Sequence, residues 1–198
     1  MSKATRRQRP NLRTVVRAGL LCSALAACQS AAAGNSCEAH MHAASTKYGI
    51  PIGILYAVGL AETGHKNSLQ PFAMNIGGKA VFMPSAAAAL ARFQQEQARG
   101  VKLIDLGCMQ INYHFHASAF PSVMAMLDPA SNVDYAARFL KRLRGREGSW
   151  TMAVARYHAG PDNDPAQRRY VCRVIGNMVA AGFGNWTSEA RIFCNKRA

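Results

Sequence analysis

Acid is scarce in this chain. Ten Asp and Glu stand against 24 Lys and Arg, a formal net charge of +14 over 198 residues. That imbalance points to an anionic partner, and nucleic acid, anionic lipid and bacterial cell wall all qualify. The apolar stretch from Val15 to Ala27 is too short for a comfortable membrane-spanning helix. No two cysteines have C-x-x-C spacing, which argues against metal ligation by thiolates. There is no internal repeat and no heptad pattern, so neither a solenoid nor a coiled coil is expected. Basic residues are not interleaved with aromatics in the way a nucleic-acid groove requires, so no nucleic acid is expected as partner.

The N-terminus has its own composition. Lys3, Arg6, Arg7, Arg9, Arg13 and Arg17 form an acid-free basic leader, and the apolar stretch that follows ends in small residues. This is the layout of a secretory signal, predicted to occupy residues 1–33. Leu25-Ala26-Ala27-Cys28 resembles the lipobox of bacterial lipoproteins, whereas Ala31-Ala32-Ala33 offers an ordinary A-x-A cleavage site. A lipidated Cys28 would be the only link to a membrane, through acyl chains. Without the leader's six cations, 18 Lys and Arg still face ten acids. Residues 34–198 are then one domain's worth of chain, enough to bury a core. Cys22 leaves with the signal and Cys28 is lipidated or lost. Cys37, Cys108, Cys172 and Cys194 remain, an even number in an exported chain, which favours two disulfides over metal ligands. Spacing leaves three pairings open.

Ser36 predicts a capped helix from about Cys37 to Tyr48, stopped by Gly49, and Pro51 the first position of a second helix ending near Ala61-Glu62-Thr63-Gly64. Asn75-Ile76-Gly77-Gly78-Lys79 reads as a tight turn between two short strands. Pro84-Ser85 opens a helix to about Ala98, and a short apolar stretch, Val101 to Leu106, leads on to Gly107-Cys108-Met109-Gln110-Ile111-Asn112. Further helices are expected from about Asn132 to Arg144, from the Ser149 cap to His158, and from Asp164-Pro165 to about Ala181. The fold class is mainly α with one small β-hairpin.

Glu62 is the residue with chemical promise. It falls at the C-terminal end of an apolar helix, where the dipole and poor solvation disfavour a carboxylate. A protonated carboxylic acid is what cleavage of an acetal needs, since the leaving oxygen must receive a proton. Alone, the residue reads first as a solvated helix-end glutamate.

Three segments in order change its weight. Glu62-Thr63-Gly64, then Gly107-Cys108-Met109-Gln110-Ile111-Asn112, then Ala155-Arg156-Tyr157-His158-Ala159-Gly160 resemble the motifs E-S or E-T, G-x-M-Q and A-x-Y-N-A-G. These belong to the soluble lytic transglycosylases of the lysozyme superfamily, and the resemblance covers about residues 37 to 180. Pro71 to Lys79 and Asp105 to Asn112 resemble a branch of small enzymes that open the wall for secretion, conjugation or flagellar assembly. The resemblance implies a lysozyme-like fold and peptidoglycan glycan strands as substrate, with components of such a machine as partners. No cofactor is implied.

The resemblance also implies roles. Glu62 would protonate the bond between N-acetylmuramic acid and N-acetylglucosamine, then act as base on the muramic 6-hydroxyl, leaving a 1,6-anhydro sugar. Tyr157 would hold Glu62 by a hydrogen bond from its phenol, and Thr63 would keep the hydroxyl that many relatives carry on Ser. Gln110 and Asn112 would reach the sugar, and Met109 would line the cleft. His158 stands where many relatives have Asn and is counted with the substrate-binding residues. Asp105 is the nearest second acid by motif and reads as a structural or loop residue. Pairings Cys37–Cys108 and Cys172–Cys194 follow from the same branch.

The histidines suggest no metal. His40-x-His42 and His114-x-His116 have a spacing that suits a strand, yet His42 falls in a predicted helix, where i and i+2 face apart. The basic run Arg138, Lys141, Arg142, Arg144, Arg146 reads as a solvated helix face, or as a greeting surface for wall polymer or a machine component. Two rival readings stay open: a muramidase of the goose-lysozyme kind, which uses water, and a wall-binding scaffold without turnover.

Overall fold

The structure, a computed structural model, describes residues 36–65, 68–160 and 162–195. The leader, the A-x-A site and Cys28 lie outside the described residues.

Caps set most helix starts. Ser85 Oγ accepts from the Ala88 N–H ahead of α3 (Ala86–Ala98), and Ser149 Oγ accepts from Met152 ahead of α7 (Trp150–His158). Helix α1 spans Ser36–Tyr48, and α2 spans Ile52–Thr63 with Pro51 at its N-cap. Helix α6 runs Pro129–Glu147, starting three residues earlier than the sequence suggests. Asp128 caps it by accepting from Ser131 at 2.9 Å, with Pro129 opening the first turn. In α8 (Asp164–Ala180) the capping side chain is Asn163, not Asp164, which places Pro165 one position further in. Three short helices, α4 (Tyr113–His116), α5 (Val123–Leu127) and α9 (Ser188–Asn195), and a 3-10 turn at Ala117–Ala119 complete the helical part.

The hairpin forms where expected, β1 (Ala73–Ile76) and β2 (Lys79–Phe82), with Gly77 and Gly78 at φ 56° and 89°. Positive φ at both turn positions is what a two-residue hairpin demands and glycine supplies without strain. The hairpin is not alone. Strands β3 (Ile104–Leu106) and β4 (Ile111–Asn112) extend it into a four-stranded antiparallel sheet of order β2-β1-β3-β4. Register aligns Asn75 with Asp105, and Asp105 with Asn112, in one cross-strand row. Residues that pair directly share a face of the sheet, so three polar side chains are brought together.

Helix α2 is apolar nearly all round, and Leu55, Ala57 and Val58 are fully buried. That pattern belongs to a helix wrapped by others. It packs on α8 and α1, while α6 packs on α1 and α7. Wrapping α2 in this way carries Glu62, on its last turn, to the sheet. Both favoured disulfides form: Cys37–Cys108 ties the start of α1 to the loop after β3, and Cys172–Cys194 ties α8 to α9.

Candidate active site

A cleft of 520 Å³ lies between the sheet and the ends of α2 and α7, and Glu62 is one of its walls. The Glu62 side chain is 13% exposed, reachable by substrate yet mostly withdrawn from water. Its Oε1 accepts a 2.6 Å hydrogen bond from the hydroxyl of Tyr170, on α8. Here the structure corrects the expectation for Tyr157. That phenol donates instead to the Met109 carbonyl at 2.8 Å. Burial, then the charge of Glu62, pushes the Tyr170 hydroxyl well above the usual phenol range, so it stays a donor at every working pH. Tyr157 is held protonated in the same way, burial first.

Tyr170 lies outside the three motif segments. A signal existed: it falls with Gln167, Val171 and Val174 on the buried stripe of α8, and a buried tyrosine needs a partner for its hydroxyl.

His158 ends α7 and stacks on the Tyr170 ring, centroids 4.2 Å apart and planes 2° from parallel. Its Nδ1 lies 3.8 Å from the same Oε1 of Glu62. The cross-strand row faces the cleft as well. Asn75, Asp105 and Asn112 all line it, and Asn112 Nδ2 donates to Asp105 Oδ1 at 2.6 Å. Asp105 is therefore a strand residue inside the site, not a loop residue beside it. Burial, and secondly the charge of Glu62, pushes its carboxyl above the usual range, against the opposing pull of Asn112 and His158. Asn75 Oδ1 and Asn112 Oδ1 are buried and have no hydrogen-bond donor among the described residues. Phe115, 68% exposed, and Phe139 add aromatic surface to the cleft.

The G-x-M-Q segment divides its labour. Gln110 lines the cleft, and its amide nitrogen donates to the carbonyls of Ala73 and Gly107, both at 3.0 Å. It adopts a left-handed backbone at φ 46°, rare for a residue with a side chain. Met109 does not line the cleft, contrary to expectation: it is fully buried beneath it. Thr63 is buried too, its hydroxyl donating to the carbonyls of Gly59 and Cys108 at 3.1 and 3.3 Å. It fastens the helix end to the loop and touches no substrate space.

Asn132 was not anticipated as a site residue and has a large share in the local geometry. Fully buried, it donates to the Leu106 and Met126 carbonyls and accepts from the Met109 N–H, each at 2.8 Å. Its amide lies so close that a Cβ on Gly107 would meet Asn132 Nδ2 at 2.6 Å, at a φ of 78°. Only glycine fits there.

A second cavity, of 490 Å³, is lined by α1, α6 and residues 119–121. Its one carboxylate, Asp134, is partly buried, which raises it, but hydrogen bonds from Lys47, Tyr48 and Arg138 outweigh that and hold it below the usual range. A cation-paired carboxylate held below the usual range is ionised near neutral pH and is poorly suited to act as a general acid there. Among the described residues, no three of His, Cys, Asp and Glu are grouped to hold a metal.

A family model described as the Transglycosylase SLT domain matches residues 40–174, a span that contains Glu62, Asp105, Gln110, Asn112, Tyr157, His158 and Tyr170. No curated protein and no solved structure matches the chain. Two thirds of the chain, with its carboxyl-bearing cleft, fit that one family, and the chain belongs to the Transglycosylase SLT domain family.

Proposed function

We propose that this chain is a lytic transglycosylase in which Glu62 is the general acid and base. Family membership implies peptidoglycan as substrate and transglycosylase-type cleavage. The finer reading rests on one observation: a nearly buried Glu62 with one oxygen fixed by Tyr170 at 2.6 Å in a sugar-sized cleft. Because Oε1 already accepts the phenol, the acid proton belongs on Oε2. Glu62 gives that proton to the glycosidic oxygen between N-acetylmuramic acid and N-acetylglucosamine. The resulting carboxylate then takes the proton of the muramic 6-hydroxyl as that oxygen closes on its own anomeric carbon. One bond breaks, one forms, no water is consumed and Glu62 ends protonated. Gln110, Asn112 and Asn75 offer polar contacts to the sugars, and Phe115 a stacking face.

A second reading, a hydrolytic muramidase, is favoured by Asp105, because most glycosidases need a second carboxylate. Against it, burial favours the neutral acid at Asp105, and one of its oxygens is engaged by Asn112. Export is part of the proposal, supported by the basic leader and the two cleavage signals. Service to a secretion, conjugation or flagellar machine is supported by the Pro71–Lys79 and Asp105–Asn112 segments alone.

The test is Glu62→Gln, which keeps shape and removes the acid. Release of soluble fragments from purified peptidoglycan should fall by at least about 10³-fold, with an unchanged melting curve shape. Retained release sinks the assignment.

A further inference from the structure

We propose that His158 is a positioning residue for the general acid: held against Tyr170 and facing Glu62 Oε1, its imidazole ties the charge of Glu62 to its own protonation. The inference rests on the reading of Glu62 as general acid and adds how that acid is regulated.

The geometry is specific. Three helices converge on one oxygen: α2 carries it, α8 brings the Tyr170 hydroxyl to 2.6 Å, and α7 brings His158 Nδ1 to 3.8 Å. The latter distance is too long for a hydrogen bond but close enough for a charge interaction. Near-parallel stacking on Tyr170 fixes the ring's orientation. Yet 43% of the His158 side chain is exposed, so its protons exchange freely with solvent. Imidazole is the side chain whose ordinary charge change falls between pH 5 and 8.

Among the described residues of the cleft, the other groups around the carboxyl do not share this behaviour. From α7 and α8, Tyr157 and Tyr170 are held protonated by burial and by Glu62 itself. Arg173 acts on Tyr170, and Arg156 lines the cleft; both are permanent cations. From the sheet, Asp105 is pushed above the usual carboxyl range by burial and Glu62, and is pulled back by His158. His116, also in the cleft, is pushed down by burial and by Arg142 and bonded to Tyr135, which keeps it neutral near pH 7. Among the described residues that line the cleft, His158 is thus the group that brings a switchable positive charge to Glu62. Imidazolium there favours the carboxylate that Glu62 becomes when it gives up its proton, and so makes it a stronger acid.

The sign follows. Protonated His158 lets Glu62 ionise at a lower pH than it would beside a neutral neighbour. His158→Asn removes that cation, so the acid form persists to higher pH. The pH profile of kcat/KM for fragment release should keep its shape, with its alkaline limb moved up by about half to one pH unit. A lower rate with an unmoved profile would mean that the ring only packs, and the proposal would fall.

Linkage is reciprocal, which supplies a readout independent of turnover. The His158 imidazole resonance, identified by its loss in His158→Asn, is titrated by NMR in the parent protein and in Glu62→Gln. The midpoint should drop by about half a unit or more in Glu62→Gln, and by less in Asp105→Asn. A midpoint unmoved by Glu62→Gln overturns the proposal even if that variant is inactive. A shifted midpoint in a protein that releases nothing would instead uphold the link and sink the general-acid reading.

Discussion

Tyr170 reaches Glu62 across 108 residues of chain and fixes one oxygen of the carboxyl proposed as the general acid. Residues of this kind decide chemistry through protonation, and Asp105 makes that testable. Burial first and Glu62 second raise its carboxyl above the ordinary range. The folded state therefore holds a proton that the unfolded chain has already released. Stability from this group is fully present below the ordinary carboxyl pKa of about 4, and is lost as pH rises through the raised value. Asp105→Asn keeps the oxygen that accepts from Asn112 and never ionises. Its melting temperature at pH 7 should exceed the parent's by about 2–4 °C, with the gap closing below about pH 4. Equal or lower stability at pH 7 would show that Asp105 is comfortably ionised, which is what a hydrolytic mechanism would want.

Among the elements, the Gly107–Gln110 loop organises the cleft, and four helices hold it. Cys37 of α1 is bonded to Cys108, Thr63 of α2 donates to the Cys108 carbonyl, Asn132 of α6 brackets Met109, and Tyr157 of α7 closes on its carbonyl. Several motif residues that the resemblance assigns to chemistry thus clamp the loop that carries Gln110. Replacing Cys37 and Cys108 together by Ser frees a 71-residue separation and should cost about 2–5 kcal/mol in denaturant unfolding. An unchanged midpoint would mean that the other three clamps suffice. Legibility divides along the same line. The Ser85 and Ser149 caps and the Gly77-Gly78 turn were legible, since each depends on local chemistry, whereas the Asp128 and Asn163 caps went unread and the cysteine pairing followed only from the family resemblance. Strands β3 and β4, of three and two residues, are too short to show an alternation. Tyr170 and Asn132 were hidden because a helical stripe marks a buried face but not what a polar group on it will meet.

For the whole molecule, the architecture is a helical wrap around α2 with a small sheet laid against its last turn, so that one carboxyl emerges into a groove. The excess of base is partly neutralised on α6, where Arg138 pairs with Asp134 and Arg146 with Glu147. Arg142 and Arg144 lie over the rings of Phe139 and Trp150. Lys141 and Arg142 are exposed on the same helix, a surface suited to an anionic polymer. The proposed reaction is cleavage of the glycan at Glu62 without water. Mass spectrometry of the muropeptides released from purified peptidoglycan tests it directly. Fragments one water lighter than hydrolytic ones, ending in the 1,6-anhydro sugar, are expected. Hydrated fragments with a reducing end would contradict it and make the protein a muramidase.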